Sequence, residues 1–210
     1  MTDRAPTVFL VDDDPGVLKA LTTLLTVSGY DVKPFASAQE FLDDHDASLP
    51  GCAVFDVAMP DIDGLELQAA LLEKNLDRPV IFVTGFGDIP TSVRAMKAGA
   101  IDFITKPVRE QQLLEAVAQA VKRDAEARER LSELKSIDTK LAGLTPRELE
   151  VVRHVIAGKL NKQIAHELGT VINTVKVHRG RAMRKLGVQS VADLVRVAQK
   201  AGVQPAGGKR

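Results

Sequence analysis

The chain has 210 residues, 28 basic and 28 acidic, and 45% of them are apolar. That composition excludes a disordered or collagen-like chain, and a single cysteine, Cys52, excludes an intrachain disulfide framework. No apolar run approaches the ~18 residues a membrane span needs, and no targeting segment precedes the first apolar run. The expectation is a soluble, cytoplasmic protein with no membrane partner. The zero net charge conceals a split. Residues 1–122 carry 10 basic and 19 acidic side chains, net −9, whereas residues 123–210 carry 18 and 9, net +9. Such asymmetry suggests two domains with different partners, the basic half suited to nucleic acid and the acidic half to a cation.

In chain order, Thr7–Val11 is a short β-branched run that stops at Asp12-Asp13-Asp14, the pattern of a buried strand. Residues 15–28 follow as a helix, with Leu18, Leu21, Leu24 and Leu25 at helical spacing and Gly29 as its stop. Residues 31–35 make a weaker strand. Residues 37–46 make a short helix with Phe41 and Leu42 facing in. A third strand covers 52–55 and ends at Asp56. Helix 65–74, strand 80–84, helix 91–98, strand 101–105 and a helix from 108 to at least 121 complete five β/α repeats. This alternation predicts a doubly wound α/β domain with a five-stranded parallel sheet and helices on both faces. Residues 118–140, rich in Ala, Glu and Arg and free of Gly and Pro, continue that helix as a linker. Leu131, Leu134 and Leu141 hint at a heptad that Asp138 interrupts. From 144 the pattern is all-helical. Thr145 reads as an N-cap, with Pro146 at the first helical position and Glu148 completing a capping box. Helices are predicted over 146–157, 161–168, 172–186 and 190–201, with Gly158, Gly169, Gly187 and Gly202 at their ends. The divisions read from the sequence are 1–121, a linker 122–141, a helical domain 142–203 and a disordered tail 204–210.

In parallel α/β sheets ligands sit beyond the carboxyl ends of the strands. Asp12 and Asp13 close the first strand, Asp56 the third and Thr84 the fourth, while Lys106 follows the fifth. Clustered carboxylates are costly unless a cation neutralises them, and oxygen-only ligands beside a phosphate suit Mg²⁺. An Asp carboxylate serves as nucleophile in aspartyl-phosphate chemistry. Lys106 and the Thr84 hydroxyl are suited to contact phosphoryl oxygens.

Residues 7–121, through Val11-Asp12-Asp13-Asp14, the run from Asp56 to Gly64, Val83-Thr84-Gly85 and Lys106-Pro107, resemble the flavodoxin-like receiver domain of two-component response regulators. The resemblance implies that Asp56 is the phosphoacceptor and that Thr84 and Lys106 contact the phosphoryl group. It also implies that Asp12, Asp13, Asp56 and the backbone carbonyl of Ala58 hold Mg²⁺, and that the Lys106–Pro107 bond is cis. Thr84 and Phe103 fall at the switch positions, through which the surface from 88 to 120 would change shape and pair with a second copy. Ala58 departs from the pattern, standing where a longer polar residue is common, which bears on how water reaches the acyl phosphate. Residues 142–203, through Leu144–Glu148, Asn161–Ala165 and Thr174–Arg179, resemble a LuxR-type helix-turn-helix. This implies base-edge contacts from Lys176 and Val177, phosphate contacts from Lys162, Thr174 and Arg179, and a dimer helix over 190–201. The basic residues Arg181 and Lys185 are added as DNA-binding candidates. Two departures stand out. Val171 occupies a position usually held by Ser or Ala, which moves the expected cap to Thr170. Gly180 costs about 1 kcal/mol of helix propensity, and it stands where many members of the resembled family carry a longer, DNA-contacting side chain. The domain order and the surroundings of Gly85–Pro90 are most similar to the FixJ-type subgroup.

The resemblance implies a non-enzymatic transcription regulator. Its partners would be a sensor histidine kinase, double-stranded DNA, a second copy after phosphorylation and, if it activates, RNA polymerase. Two other readings stay open. Asp12 and Asp14 form the Asp-x-Asp of haloacid-dehalogenase-type phosphatases, as nucleophile and general acid. Alternatively, the basic domain is a module for protein or RNA.

Overall fold

A computed structural model describes residues 5–74, 76–85 and 89–207, and it divides the chain into two compact units, residues 1–128 and 129–210. In the first unit the strands are β1 (Thr7–Val11), β2 (Asp31–Phe35), β3 (Gly51–Asp56), β4 (Val80–Thr84) and β5 (Asp102–Thr105). All pairs are parallel and the order is β2-β1-β3-β4-β5. The helices between them are α1 (Pro15–Val27), α2 (Ala38–Asp44), α3 (Gly64–Glu73) and α4 (Ile89–Lys97), and α5 (Glu110–Ala142) follows β5.

Strand side chains alternate between faces, so each strand feeds two cores. Val8, Leu10, Cys52, Val54, Ile81, Val83 and Ile104 pack under Leu21 and Leu25 of α1 and Leu113 and Val117 of α5. Phe9, Phe35, Phe55 and Phe82 take the other face with Phe41 of α2, Leu67 and Leu71 of α3 and Ala95 of α4. One face is thus aliphatic and the other aromatic, with Phe9, Phe35, Phe41 and Phe55 linked by ring contacts of 5.2–6.4 Å. Pro34 lies in edge strand β2, the place where a missing N–H is tolerated.

Helix starts follow local chemistry. The Asp14 carboxylate accepts the Gly16 and Val17 N–H groups and caps α1, and Ser37 caps α2. Asp63 and Glu66 form a capping box on α3. The fifth helix opens at Glu110, two residues after the predicted start, with the Arg109 carbonyl accepting the Leu113 N–H. Two glycines are required by close approach. A Cβ on Gly51 would lie 1.8 Å from the Thr7 carbonyl oxygen, and one on Gly64 would lie 2.2 Å from that of Asp56.

At the amino-terminal edge of the sheet, two guanidinium groups gather the loop before β3. Arg78 donates to the Leu49 and Asp46 carbonyls and to Nε2 of His45 and lies over the Phe9 ring. Arg128 donates to the carbonyls of Ala47, Ser48 and Leu49. Buried Asp124 accepts both the Arg128 Nε–H at 2.7 Å and the Gly51 N–H at 2.8 Å. Burial, reinforced by the nearby Arg78 charge, pushes His45 down to about 4 and keeps it a neutral acceptor. The unit therefore holds α5 as far as Arg128, well past the residue 121 read from the sequence.

In the second unit α6 (Pro146–Ile156), α7 (Asn161–Glu167), α8 (Ile172–Leu186) and α9 (Val191–Lys200) follow the end of α5. They enclose Val151, Val152, Val155, Ile164, Val175, Ala182, Leu186 and Leu194. The expected capping box of Thr145 and Glu148 is present, and Gly158, Gly169, Gly187 and Gly202 all have positive φ. The expected cap of α8 at Thr170 is not found. Val171 holds the N-cap position with no side-chain hydrogen bond. The Thr170 N–H instead bonds to the Ala165 carbonyl as part of the turn that closes α7. Residues 208–210 of the predicted tail, and Phe86, Gly87 and Asp88 of the Gly85–Pro90 run, lie outside the described residues. No helix among the described residues is long and apolar enough to cross a membrane.

Candidate functional site

The parallel sheet brings the carboxyl ends of β1, β3, β4 and β5 together. Ligand oxygens of Asp12, Asp13 and Asp56 all lie within 4.8 Å of one another. Asp12 and Asp56 are buried and Asp13 is exposed. Asp12 accepts the Asp14 N–H through Oδ1 and the Lys106 ammonium through Oδ2, at 3.0 and 2.8 Å. The same ammonium pairs with Asp56 Oδ1 at 3.2 Å, and that buried oxygen has no other hydrogen-bond partner among the described residues. Burial raises the Asp56 carboxyl above the usual carboxylate range, Lys106 pulls it back, and Asp12 pushes it up again. Burial lowers Lys106, but its hydrogen bond to Asp12 and the charge of Asp56 more than reverse this, so the ammonium is held above its ordinary value.

Thr84 is buried at the end of β4, and its carbonyl accepts the Lys106 N–H at 2.7 Å. The Lys106–Pro107 bond is cis. Phe103, on β5 beside Phe82, is partly buried against the aromatic core, its ring 6.3 Å from that of Phe82. Ala58 is exposed in the turn after β3. The chemistry of the donor set fits a hard divalent cation. Three carboxylates lie together and the single ammonium beside them pairs with two, which leaves an excess of negative charge on oxygen ligands. The Asp14 carboxylate is turned to the start of α1 as its cap, so it is engaged there and not as the general acid of the phosphatase reading.

The second candidate site is the outer face of α8. Val175, Ala182 and Leu186 point into the core. With 3.6 residues per turn, Asn173, Lys176, Val177, Gly180, Arg181 and Arg184 then occupy the opposite side, and all six are exposed. Lys162 is exposed on α7. Three predicted residues sit elsewhere. Thr174 is half-buried at the flank. Arg179 is half-buried and donates to Asn161 Oδ1 at 3.2 Å. Lys185 stays exposed, but its ammonium is engaged by Glu148 Oε2 at 2.7 Å and the Gly143 carbonyl at 3.0 Å. Glu148 is buried, and the hydrogen bonds from Lys185 and the Thr145 N–H hold its carboxyl down to about 2. Lys185 is thus a buttress between α8 and α6. Arg184, which the sequence reading counted among the basic residues of this helix but not among its DNA contacts, takes the outward position. The signal for it was the helical phase fixed by Val175, Ala182 and Leu186.

Comparison with known proteins agrees with both halves. The response regulator receiver domain family matches residues 8–118, and the family of bacterial regulatory proteins of the luxR type matches residues 142–198. The chain is 44% identical to the response regulator protein TodT of Pseudomonas putida, over 95% of this chain and 88% of that one. It is 40% identical to the transcriptional regulatory protein FixJ of Rhizobium meliloti, over 98% and 100%. Among solved structures, the response regulator StyR superposes with a TM-score of 0.88 at 44% identity, covering 94% of this chain and all of that one. A five-stranded parallel receiver sheet with a pocket of three acids and a lysine, followed by a helical unit that turns a basic helix face outward, makes the same statement as these matches: the chain belongs to the FixJ-type two-component response regulators, with a receiver domain and a LuxR-type DNA-binding domain.

Proposed function

We propose that Asp56 takes a phosphoryl group from the phosphohistidine of a sensor kinase, and that the phosphorylated chain dimerises and binds specific duplex DNA through the outer face of α8. The observation that carries this reading is the Lys106 ammonium set between Asp12 and Asp56 at the carboxyl edge of the sheet, with Asp13 beside them. Asp56 attacks phosphorus through a carboxylate oxygen, an O–P bond forms, the N–P bond breaks, and the electron pair returns to the leaving imidazole. Lys106 offsets charge on the phosphoryl oxygens, and the Thr84 hydroxyl donates a hydrogen bond to them. Asp12, Asp13, Asp56 and the Ala58 carbonyl would hold Mg²⁺, which when bound neutralises charge on the transferred group. Engagement of Thr84 then gives Phe103 room to rotate inward, which reshapes the surface from 88 to 120 for pairing with a second copy.

On the DNA side, Lys176, Val177 and Arg181 lie on the outward face, and Lys162 adds a phosphate contact from α7. A second copy doubles the contact through effective concentration. The test is acetyl phosphate labelling of wild type and Asp56→Ala, followed by genome-wide DNA capture with both. Wild type should gain one phosphoryl group and enrich discrete sites after labelling, and Asp56→Ala should do neither. Labelling that survives in Asp56→Ala, or equal enrichment by both proteins, would overturn it.

A further inference from the structure

Each glycine among the described residues answers to a local demand, with two exceptions. Gly29, Gly51, Gly99, Gly158, Gly169, Gly187, Gly202 and Gly207 have positive φ, and a Cβ on Gly16, Gly64 or Gly143 would meet an atom at 3.3 Å or less. Gly85 and Gly180 have neither reason; a Cβ on either would meet nothing within 4 Å. Gly85 directly follows Thr84 of the phosphoryl pocket. Gly180 stands in the middle of α8, in helical conformation, at the centre of the exposed face between Lys176, Val177 and Arg184. Folding therefore asks for any helix-favouring residue at 180, and glycine there weakens the helix with no return inside the protein. One recognised use of such a glycine is to let another surface approach the backbone closely.

We propose that Gly180 is a specificity-determining clearance residue, whose missing side chain lets the α8 backbone seat against the floor of the DNA major groove. The inference rests on the DNA-binding reading of α8 given above. With the backbone lowered at 180, Lys176 and Val177 one turn earlier and Arg184 one turn later reach base edges and groove walls together. A methyl or isobutyl group at 180 holds the helix off, so base-edge contacts weaken while charge attraction to phosphates persists.

The test uses the full-length protein, treated with acetyl phosphate, and a duplex library with a randomised centre. Wild type selects its preferred duplex, and that duplex and an unselected one are then titrated with wild type, Gly180→Ala and Gly180→Leu. Both replacements favour helix, so Gly180→Ala should raise the melting temperature of the C-terminal unit by about 4–8 °C. Affinity for the selected duplex should nevertheless fall about tenfold with Ala and further with Leu, while affinity for the unselected duplex stays unchanged. Equal or tighter binding of the selected duplex by either variant overturns the proposal. Failure of wild type to select any sequence overturns the DNA reading itself and removes the ground for Gly180 with it.

Discussion

Lys185 and Arg184 are neighbours in sequence with the same charge and opposite employment. Lys185 holds the buried Glu148 carboxylate, and Arg184 faces outward. Lys185→Ala leaves that carboxylate with the Thr145 N–H alone, and loss of a hydrogen bond to a charged group costs about 1–3 kcal/mol. Arg184→Ala should leave the melting temperature unchanged and weaken DNA binding; calorimetry and a duplex titration on both variants separate the two roles. The pH dependence has a definite sign. Glu148 is depressed in the folded state, to about 2 from an ordinary value of 4.5. Its stabilisation is therefore full above about pH 4.5 and is lost as pH falls toward 2. In Lys185→Ala this acid-sensitive part should shrink. Composition along α8 could not distinguish the two residues, because charge is blind to helical phase. The phase became legible only once Val175, Ala182 and Leu186 were known to be the buried set. The receiver pocket was easier to read, since Asp12, Asp56, Thr84 and Lys106 each sit at a strand end and parallel strands end together.

Among the elements, α5 departs furthest from the sequence reading. Continuous helix was predicted, and helix is found from Glu110 to Ala142. What pattern could not show is that the first unit keeps hold of it as far as Arg128, because the contacts are carbonyl groups of the 46–49 loop, which carry no sequence signature. The Asp124–Arg128 pair is buried on the aspartate side and half-open on the arginine side, and such a pair by itself adds little net stability. Arg128→Ala would remove the guanidinium from the three loop carbonyls and leave Asp124 Oδ2 with the Gly51 N–H in place of two donors. The expected outcome is faster amide exchange over residues 45–51 and 122–130, with a stability loss of about 1–3 kcal/mol. Unchanged exchange in both segments would refute the anchoring role. The heptad hint also resolves at this scale. With Leu131 and Leu134 at seam positions, Asp138 takes the next one, and Arg123, Arg128, Arg130 and Lys135 flank the seam on both sides. Like charges on both flanks oppose a homodimeric coiled coil, so the exposed Leu131 and Leu134 do not by themselves define a dimer seam.

For the whole molecule, the partition of charge assigns the two chemistries. The −9 half holds a cluster of carboxylates of the kind that suits a cation, and the +9 half exposes basic side chains of the kind that suit phosphates. Overall neutrality means that non-specific DNA affinity depends on local charge at the α8 face and not on net charge. Binding of an unselected duplex should therefore fall steeply with salt, and the slope of log affinity against log salt should shrink by about one for each of Lys176→Ala and Arg181→Ala. A flat salt dependence would count against this surface. Much of this scale was legible beforehand, because the β/α alternation, the run of strand-end acids and the capping box at Thr145 are all local signals. The true end of the first unit was not, because it is written in long-range hydrogen bonds across more than 70 positions of sequence.

That end has a practical meaning for recombining signalling proteins. A receiver cut at residue 121 would forfeit Asp124 and Arg128, leaving the Gly51 N–H at the start of the central strand without its acceptor. A seam placed just after Arg128 keeps the anchor whole and still leaves helical residues on which to graft a foreign output module. Interchangeable outputs thus have a natural splice point in this chain, seven residues beyond where the β/α pattern stops.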